Sequence, residues 1–216
     1  MKKTAVLFLF LFLFPVFLVA QKEGYLQYSI SANALDTSLE VRQKVGLMRN
    51  SSLKIYFAER FARVEFKMAG DYNITTILDK TLNKSLNLMD SPMGRFAKRS
   101  TSDELQTVPI QIDSTSKIEV FKDDKKTILD FECFKVVLTN ADFKIQYWCT
   151  NEIDIDLSDY KLTNDFIPGF PLEFSAVSEG VQLRYKASNI IFSLKDPSAL
   201  FSLEVPVGYT VVASDK

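Results

Sequence analysis

Period-two alternation of apolar and polar residues runs through most of this chain, and it limits the possible folds more than any other feature. Leu26, Tyr28 and Ile30 alternate with Gln27, Ser29 and Ser31, and Leu53, Ile55 and Phe57 alternate with Lys54 and Tyr56. Ala62, Val64, Phe66 and Met68 alternate with Arg63, Glu65 and Lys67. Leu82, Leu86 and Leu88 share a side with Lys84, and Val181, Leu183, Tyr185 and Ala187 alternate with Gln182, Arg184 and Lys186. Neighbouring side chains of a strand point to opposite faces of a sheet, so each run is a strand with one face against a core. Turn-forming groups separate the runs: Ala69-Gly70-Asp71, Asp79-Lys80-Thr81, Asp90-Ser91-Pro92, Asp123-Asp124 and Glu179-Gly180. Short strands with tight connections predict an antiparallel meander and not βαβ units. Within it, Asp123-Asp124-Lys125-Lys126 reads as a charged hairpin tip.

Helix is scarce. Leu35, Leu39, Val45 and Met48 form a loose apolar stripe between Ala34 and Asn50, weakened by Gly46, which leaves a helix or an ordered loop. A helical turn is expected to start at Asp196, with Asp as N-cap and Pro197 in the first helical position. The polar stretch from Thr101 to Pro109 reads as a surface loop.

The two cysteines, Cys133 and Cys149, flank a hairpin that turns near Asn140-Ala141-Asp142. A three-residue loop would set Cys133 opposite Cys149, but it mixes Phe134, Val136 and Leu138 with Trp148, Gln146 and Lys144. A two-residue loop pairs Phe134 with Tyr147, Val136 with Ile145 and Leu138 with Phe143, giving one wholly apolar face. Because a one-residue slip turns every side chain over, the second register is expected. It leaves two free thiols, one of them buried, unless a bulge reverses the alignment.

The amino terminus carries an address. Met1, Lys2 and Lys3 are followed by the apolar run Val6–Phe14, Pro15, and Leu18-Val19-Ala20 before Gln21. This is the pattern of a secretory signal peptide cleaved after Ala20, and the run is shorter than the roughly 20 residues that span a bilayer. Residues 21–216 are then expected to form a single domain, soluble in the periplasm or secreted, with no lipid or transmembrane anchor. Losing Lys2 and Lys3 takes the net charge from −1 to −3. Charges of both signs are interleaved, which argues against a nucleic-acid partner.

The chain has no histidine, which removes the commonest general base and metal ligand together. No Cys-x-x-Cys motif supports thiol redox chemistry. Glu152, Asp154, Asp156, Asp159 and Asp165 are the only acidic cluster, but Asp159 stands where a calcium loop of the EF-hand type needs glycine, so a solvated connection is expected and no metal or other cofactor. No enzymatic activity is expected. The apolar inventory is more informative: the chain has 18 Phe, with Met48, Met68, Met89 and Met93 as adaptable surface. If one antiparallel sheet curls without closing, its concave face is filled by its own side chains or holds something apolar.

Several blocks, in their order, resemble a known family. They are Thr76-Ile77-Leu78-Asp79-Lys80, Leu88-Met89-Asp90 with Met93-Gly94-Arg95, Ile128-Leu129-Asp130-Phe131-Glu132-Cys133, and Trp148 with Thr150-Asn151-Glu152-Ile153. Pro168-Gly169-Phe170-Pro171-Leu172-Glu173 and Phe201 with Val205-Pro206-Val207-Gly208-Tyr209 complete the set. Together they resemble the DUF4412 family of exported proteins, found largely in Bacteroidota and related to the GLPGLI proteins. Asp130 stands where such sequences usually carry Gly, and Cys149 where Tyr is usual. The resemblance implies a mainly β fold like that of the lipoprotein carriers LolA and LolB: a bent antiparallel half-barrel with one or two short helices around an apolar cavity. It transfers no catalytic residue. The expected function is binding of a lipid, a lipoprotein acyl chain or another apolar ligand. Tyr28, Ile55, Phe57, Phe66, Leu86, Phe134, Ile145 and Tyr185 are the expected lining. The alternative is a structural module with a filled core that engages an envelope protein partner.

Overall fold

The computed structural model describes residues 22–101, 116–140, 143–155 and 166–213. The expected signal peptide, most of the expected polar loop after Thr101, the centre of the hairpin turn, and Asp156, Asp159 and Asp165 lie outside them.

The chain forms β1 (Gly24–Ala34), α1 (Leu39–Met48), β2 (Ser52–Ala58), β3 (Phe61–Lys67), β4 (Asn73–Asp79), β5 (Lys84–Ser91) and β6 (Gly94–Ser100). It continues with β7 (Lys117–Ile128), β8 (Phe131–Thr139), β9 (Lys144–Thr150), β10 (Phe170–Ser178), β11 (Val181–Ile191), α2 (Pro197–Leu200) and β12 (Thr210–Val212). All 12 strands belong to one open sheet, ordered β12-β6-β5-β4-β3-β2-β1-β11-β10-β9-β8-β7. Every pairing is antiparallel except that of β12 with β6. The sheet is therefore two meanders, β1–β6 and β7–β11, joined where β1 pairs with β11. This is the bent half-barrel architecture expected from the sequence.

Both short helices are capped by side chains. Ser38 accepts from the Val41 amide at the start of α1, and Asp196 accepts from the Ala199 amide at the start of α2, with Pro197 leading the turn as expected. Only Val41 of α1 is buried; the helix packs against β1 and β11.

The bend shows in the core. One cluster joins Leu26, Tyr28, Ile55, Phe57, Ala62 and Leu78 of the first meander to Phe170 and Leu172 of the second. Strands far apart in the sheet share it, so the side that carries Tyr28 is the inner one. Behind β4–β6, on the other side, Leu203, Val205 and Tyr209 of the C-terminal segment cover Ile77, Leu86, Leu88 and Ala97.

Two of the short motifs supply buried carboxylates. Glu173 accepts from Lys126 Nζ at 2.6 Å and from Arg184 Nε at 3.0 Å, and the Lys126 ammonium lies 5.1 Å from the Trp148 ring centre. Burial pushes the Glu173 carboxyl up, but the hydrogen bonds and charges of Lys126 and Arg184 outweigh it and hold the group below its ordinary value. Asp79 is nearly inaccessible; it takes Arg60 as its ion partner and the Leu82 amide at 3.0 Å, closing the β4–β5 turn. Its carboxyl is pushed up by burial and, on balance, held below its usual value by those donors.

Two expectations are corrected. Asp123 and Asp124 are no hairpin tip. They lie inside β7, where the pairing with β8 shifts between Phe121 and Lys125 and residues 122–124 are taken up by the irregularity. The turn comes instead at Leu129-Asp130, both at positive φ (48° and 68°), the conformation of a tight hairpin turn. That backbone accounts for Gly being the easier residue where this chain has Asp130.

The cysteine hairpin pairs Phe134 with Cys149, Val136 with Tyr147 and Leu138 with Ile145, two residues away from the expected alignment. Asn140 accepts from the Phe143 amide through its side chain and donates its own amide to the Phe143 carbonyl, both at 3.0 Å, which closes the longer loop. A two-residue shift keeps every side chain on its face, so the apolar face and the separation of the thiols both survive. Cys133 and Cys149 are free, and both are buried rather than one.

Burial raises the Cys133 thiol to about 11 and the Cys149 thiol to about 12, so little thiolate forms at neutral pH. Neither cysteine should react with a thiol reagent at pH 8 until the protein is unfolded, when both should; modification of one in the folded protein would contradict the placement. For the carboxylates, a native value below the ordinary one means stability that is full above the unfolded values, 4.5 for Glu and 3.8 for Asp, and lost as pH falls through the native values. Glu173→Gln should cost about 2 kcal/mol at neutral pH, read as a lower urea midpoint at unchanged slope, and should flatten the acid loss of stability.

Candidate functional site

The inner side of the first meander carries an apolar row fixed by strand register. Phe96 on β6 pairs with Met89, Met89 with Ile74, Ile74 with Phe66, Phe66 with Leu53, and Leu53 with Tyr28. Six strands thus place six apolar side chains in a line across the sheet, roughly 24 Å long at the usual inter-strand spacing. The row is not uniformly covered: Tyr28 is buried, Leu53, Phe66 and Phe96 are half-buried, and Ile74 and Met89 are 38% and 37% exposed. The next rows of the same side turn polar toward β6, where Thr76 donates to Asn87, Asn87 to Ser100, and Ser85 and Ser100 share a hydrogen bond. The open apolar strip therefore has a hydrogen-bonded polar margin.

At its closed end the strip meets an aromatic group. Tyr28 and Phe174 meet edge to face at 5.9 Å, Phe174 stacks on Tyr185 at 4.5 Å, and Tyr147 lies 5.9 Å from Phe174. Such pairs contribute beyond the area they bury. The Tyr28 hydroxyl reaches from β1 past β11 to donate to the Pro171 carbonyl at 2.6 Å. Burial raises its pKa, keeping the phenol a neutral donor. Gly169, just before β10, has φ +77°, and a Cβ there would lie 2.9 Å from the Thr150 carbonyl oxygen, so the chain enters β10 by a path that glycine alone follows without strain.

Of the expected lining residues, Tyr28, Ile55, Phe57 and Phe66 share the inner side of the first meander by register. Phe134, Ile145 and Tyr185 join its continuation in the second, where Phe134 and Ile145 belong to the cluster around Val136 and Tyr147. Leu86 is on the opposite side, fully buried beneath the C-terminal segment. Alternation assigns Leu86 to a side of its own strand but does not say which side of the sheet that is; pairing with Ile77 and not with Leu78 decides it. The sequence reading missed Leu53, Ile74, Met89 and Phe96 as members of the strip. Leu53 and Met89 were visible in apolar runs, whereas β6 (Gly-Arg-Phe-Ala-Lys-Arg-Ser) is too basic to read as a strand. Tyr28, Ile55, Phe57 and Ile145 are already buried by the protein, so within the first meander the accessible part of the inner side is the half toward β6; at the far edge of the second, Val120 of β7 is exposed on the same side.

Among the described residues no group of three or more Cys, Asp or Glu side chains could hold a metal ion. Glu152, one of the expected acidic cluster, accepts from the Glu132 amide at 2.9 Å and so ties the hairpin to the segment after β9.

No family model matches the chain, and no curated protein matches it in sequence. The family resemblance read from the short motifs rests on those motifs alone. Among solved structures, PNGF-II is similar over 89% of this chain and 32% of its own, at 11% identity and a TM-score of 0.46. The MucA/MucB complex of Pseudomonas aeruginosa is similar over 89% of this chain and 59% of the matched one, at 10% identity and a TM-score of 0.48. A LolA superfamily protein, NE2245 from Nitrosomonas europaea, is similar over 84% of this chain and 90% of its own, at 11% identity and a TM-score of 0.24. The chain thus spans about a third of PNGF-II.

Tyr28→Phe removes the bond to Pro171 while keeping the ring contacts, and should cost about 1 kcal/mol. Equilibrium urea unfolding checks this; an unchanged midpoint would show that the hydroxyl does not tie β1 to β10.

Proposed function

We propose that this protein binds an extended apolar chain, an acyl chain in the first instance, along the open strip of the inner side. The observation that carries the reading is the register-fixed row Phe96–Met89–Ile74–Phe66–Leu53–Tyr28, whose outer half stays accessible while its inner end is filled. The remaining expected positions Ile55, Phe57, Phe134, Ile145 and Tyr185 serve as the floor and closed end of the site, and Leu86 is not part of it. Ten methylene groups covered on one side would gain about 4 kcal/mol, at about 0.8 kcal/mol for each fully buried group. That is close to millimolar binding, which suits a protein that takes up and releases its ligand.

Binding in place of catalysis is favoured because the chain has no histidine and, among the described residues, the two buried carboxylates, Asp79 and Glu173, are each neutralised by cations. Action in the periplasm or outside the cell is inferred from the signal-peptide pattern of residues 1–20; among the described residues no helix is long and apolar enough to cross a membrane. The filled end of the inner side favours one second reading, in which the strip receives an apolar segment of an envelope protein.

Fluorescence titration with cis-parinaric acid tests the proposal. The wild-type protein should bind saturably, and Ile74→Glu or Met89→Glu, both at exposed positions, should weaken binding about tenfold or more at unchanged thermal stability. Absence of saturable binding to the wild type, or equal binding by the variants, would overturn the acyl-chain reading.

A further inference from the structure

A second cleft lies at the other end of β5 and β6, away from the exposed members of the strip. Its volume is about 640 Å³, and Leu82, Lys84, Ser85, Arg99, Ser100, Thr101 and Leu203 line it. This is within the size range of small-ligand sites. Its charge is one-sided. Leu86 pairs with Arg99, and Ser85 with Ser100, so Lys84 falls diagonally across from Arg99 on the side of the sheet that faces the C-terminal segment. Diagonal neighbours of this kind are within reach of one another. Among the described residues neither cation has an ion pair or a side-chain hydrogen bond, whereas the neighbouring cations Arg60, Arg63 and Arg95 each meet a carboxylate. Asp79, directly across from Lys84, is already engaged by Arg60, so an anion placed between Lys84 and Arg99 meets two cations with no ion partner of their own.

The walls are apolar. Leu82, in the β4–β5 turn, is 53% exposed, and Leu203, at the start of the C-terminal cover, is half-buried against the Leu86 cluster. Ser85 and Ser100 spend their hydroxyls on each other at 2.7 Å, and Ser85 also reaches the Thr101 carbonyl. Besides the Thr101 hydroxyl, the free hydrogen-bonding capacity of the side chains lining the cleft is therefore cationic. We propose that this cleft is a binding site for an anionic amphiphile, whose carboxylate or phosphate head sits between Lys84 and Arg99 and whose apolar stem lies against Leu82 and Leu203. The site does not depend on the acyl strip: its two cations are on the opposite side of the sheet, and Ser85 and Ser100 are at the far end of β5 and β6 from Met89 and Phe96.

The experiment uses the full mature protein carrying Ile74→Glu and Met89→Glu, so that the strip is disabled, and follows methyl resonances of Leu82, Leu203 and Leu53 by NMR. Lauric acid, added below its micellar concentration, should shift Leu82 and Leu203 saturably and leave Leu53 unmoved. Lys84→Gln and Arg99→Gln, both exposed, should each weaken that binding about tenfold, and added salt should weaken it further. Dodecanol should bind more weakly than laurate, and equally to all variants. Three results would overturn the proposal: shifts confined to Leu53, equal affinity of the charge variants, or reproduction of the laurate shifts and affinity by inorganic phosphate alone, which would mark a free-anion site with no place for a stem. Loss of the strip through the background substitutions leaves these readouts intact, so failure here is distinguishable from failure of the acyl-chain reading.

Discussion

The pairing of β1 with β11 is the contact on which the rest of the molecule depends. It joins the first strand to the last long one, from Tyr25 with Ile191 to Ala34 with Val181, and without it the two meanders would be separate sheets. Such a pairing closes a very long loop before it returns any contact energy, so its stability must come from what it brings together. That is the shared core, in which Leu26 and Tyr28 meet Phe170 and Leu172, and the reach of Tyr28 to Pro171. The close approach is tight at its edge: a Cβ on Gly24 would collide with the Ile191 carbonyl and the Phe57 ring, which makes glycine the residue that lets the two strands meet there.

The bend created by this junction also separates the roles of the two sides. On the inner side the aromatic group around Phe174 fills the closed end, leaving the apolar row open only toward β6. On the outer side the C-terminal segment supplies a cover of its own and then adds β12 to the edge of β6 in parallel. The short motifs that carry the family resemblance are mostly fittings of this frame. Asp79 closes a turn, Asp130 takes a left-handed backbone, Gly169 admits the chain to β10, and Glu173 neutralises two cations under Trp148. Motif residues of this sort say how the sheet is built; Met89, of the Leu88-Met89-Asp90 block, belongs in addition to the proposed strip.

How much was legible can be argued from single elements. The strands β1, β2, β3 and β11 were plain because alternation and turn residues agree there. The start of α2 was plain because Asp196 and Pro197 act locally. The hairpin of Cys133 and Cys149 was half legible: hydrophobic pattern fixes which face a residue takes, but a shift of two residues satisfies the same pattern, and Asn140 and Phe143 chose between the loops. Asp123-Asp124 misled because acidic pairs serve both turns and bulges, and the difference lies in the facing strand. Of the proposed site, the closed end contains Tyr28, Phe57 and Tyr185 of the expected lining, and the open half Phe66 alone.

The sequence by itself determined the strand content, the side of each strand that is apolar and the lack of histidine chemistry, because these follow from residue type and a period of two within a few neighbours. Tertiary structure decided which of two apolar sides faces inward, that Leu86 belongs to one and Leu78 to the other, and that Ile74 and Met89 stay open while Tyr28 is covered. The physical reason is that facing and cover are set by pairings between segments distant in the chain, β1 with β11 above all, and no local pattern encodes which strand will be the neighbour.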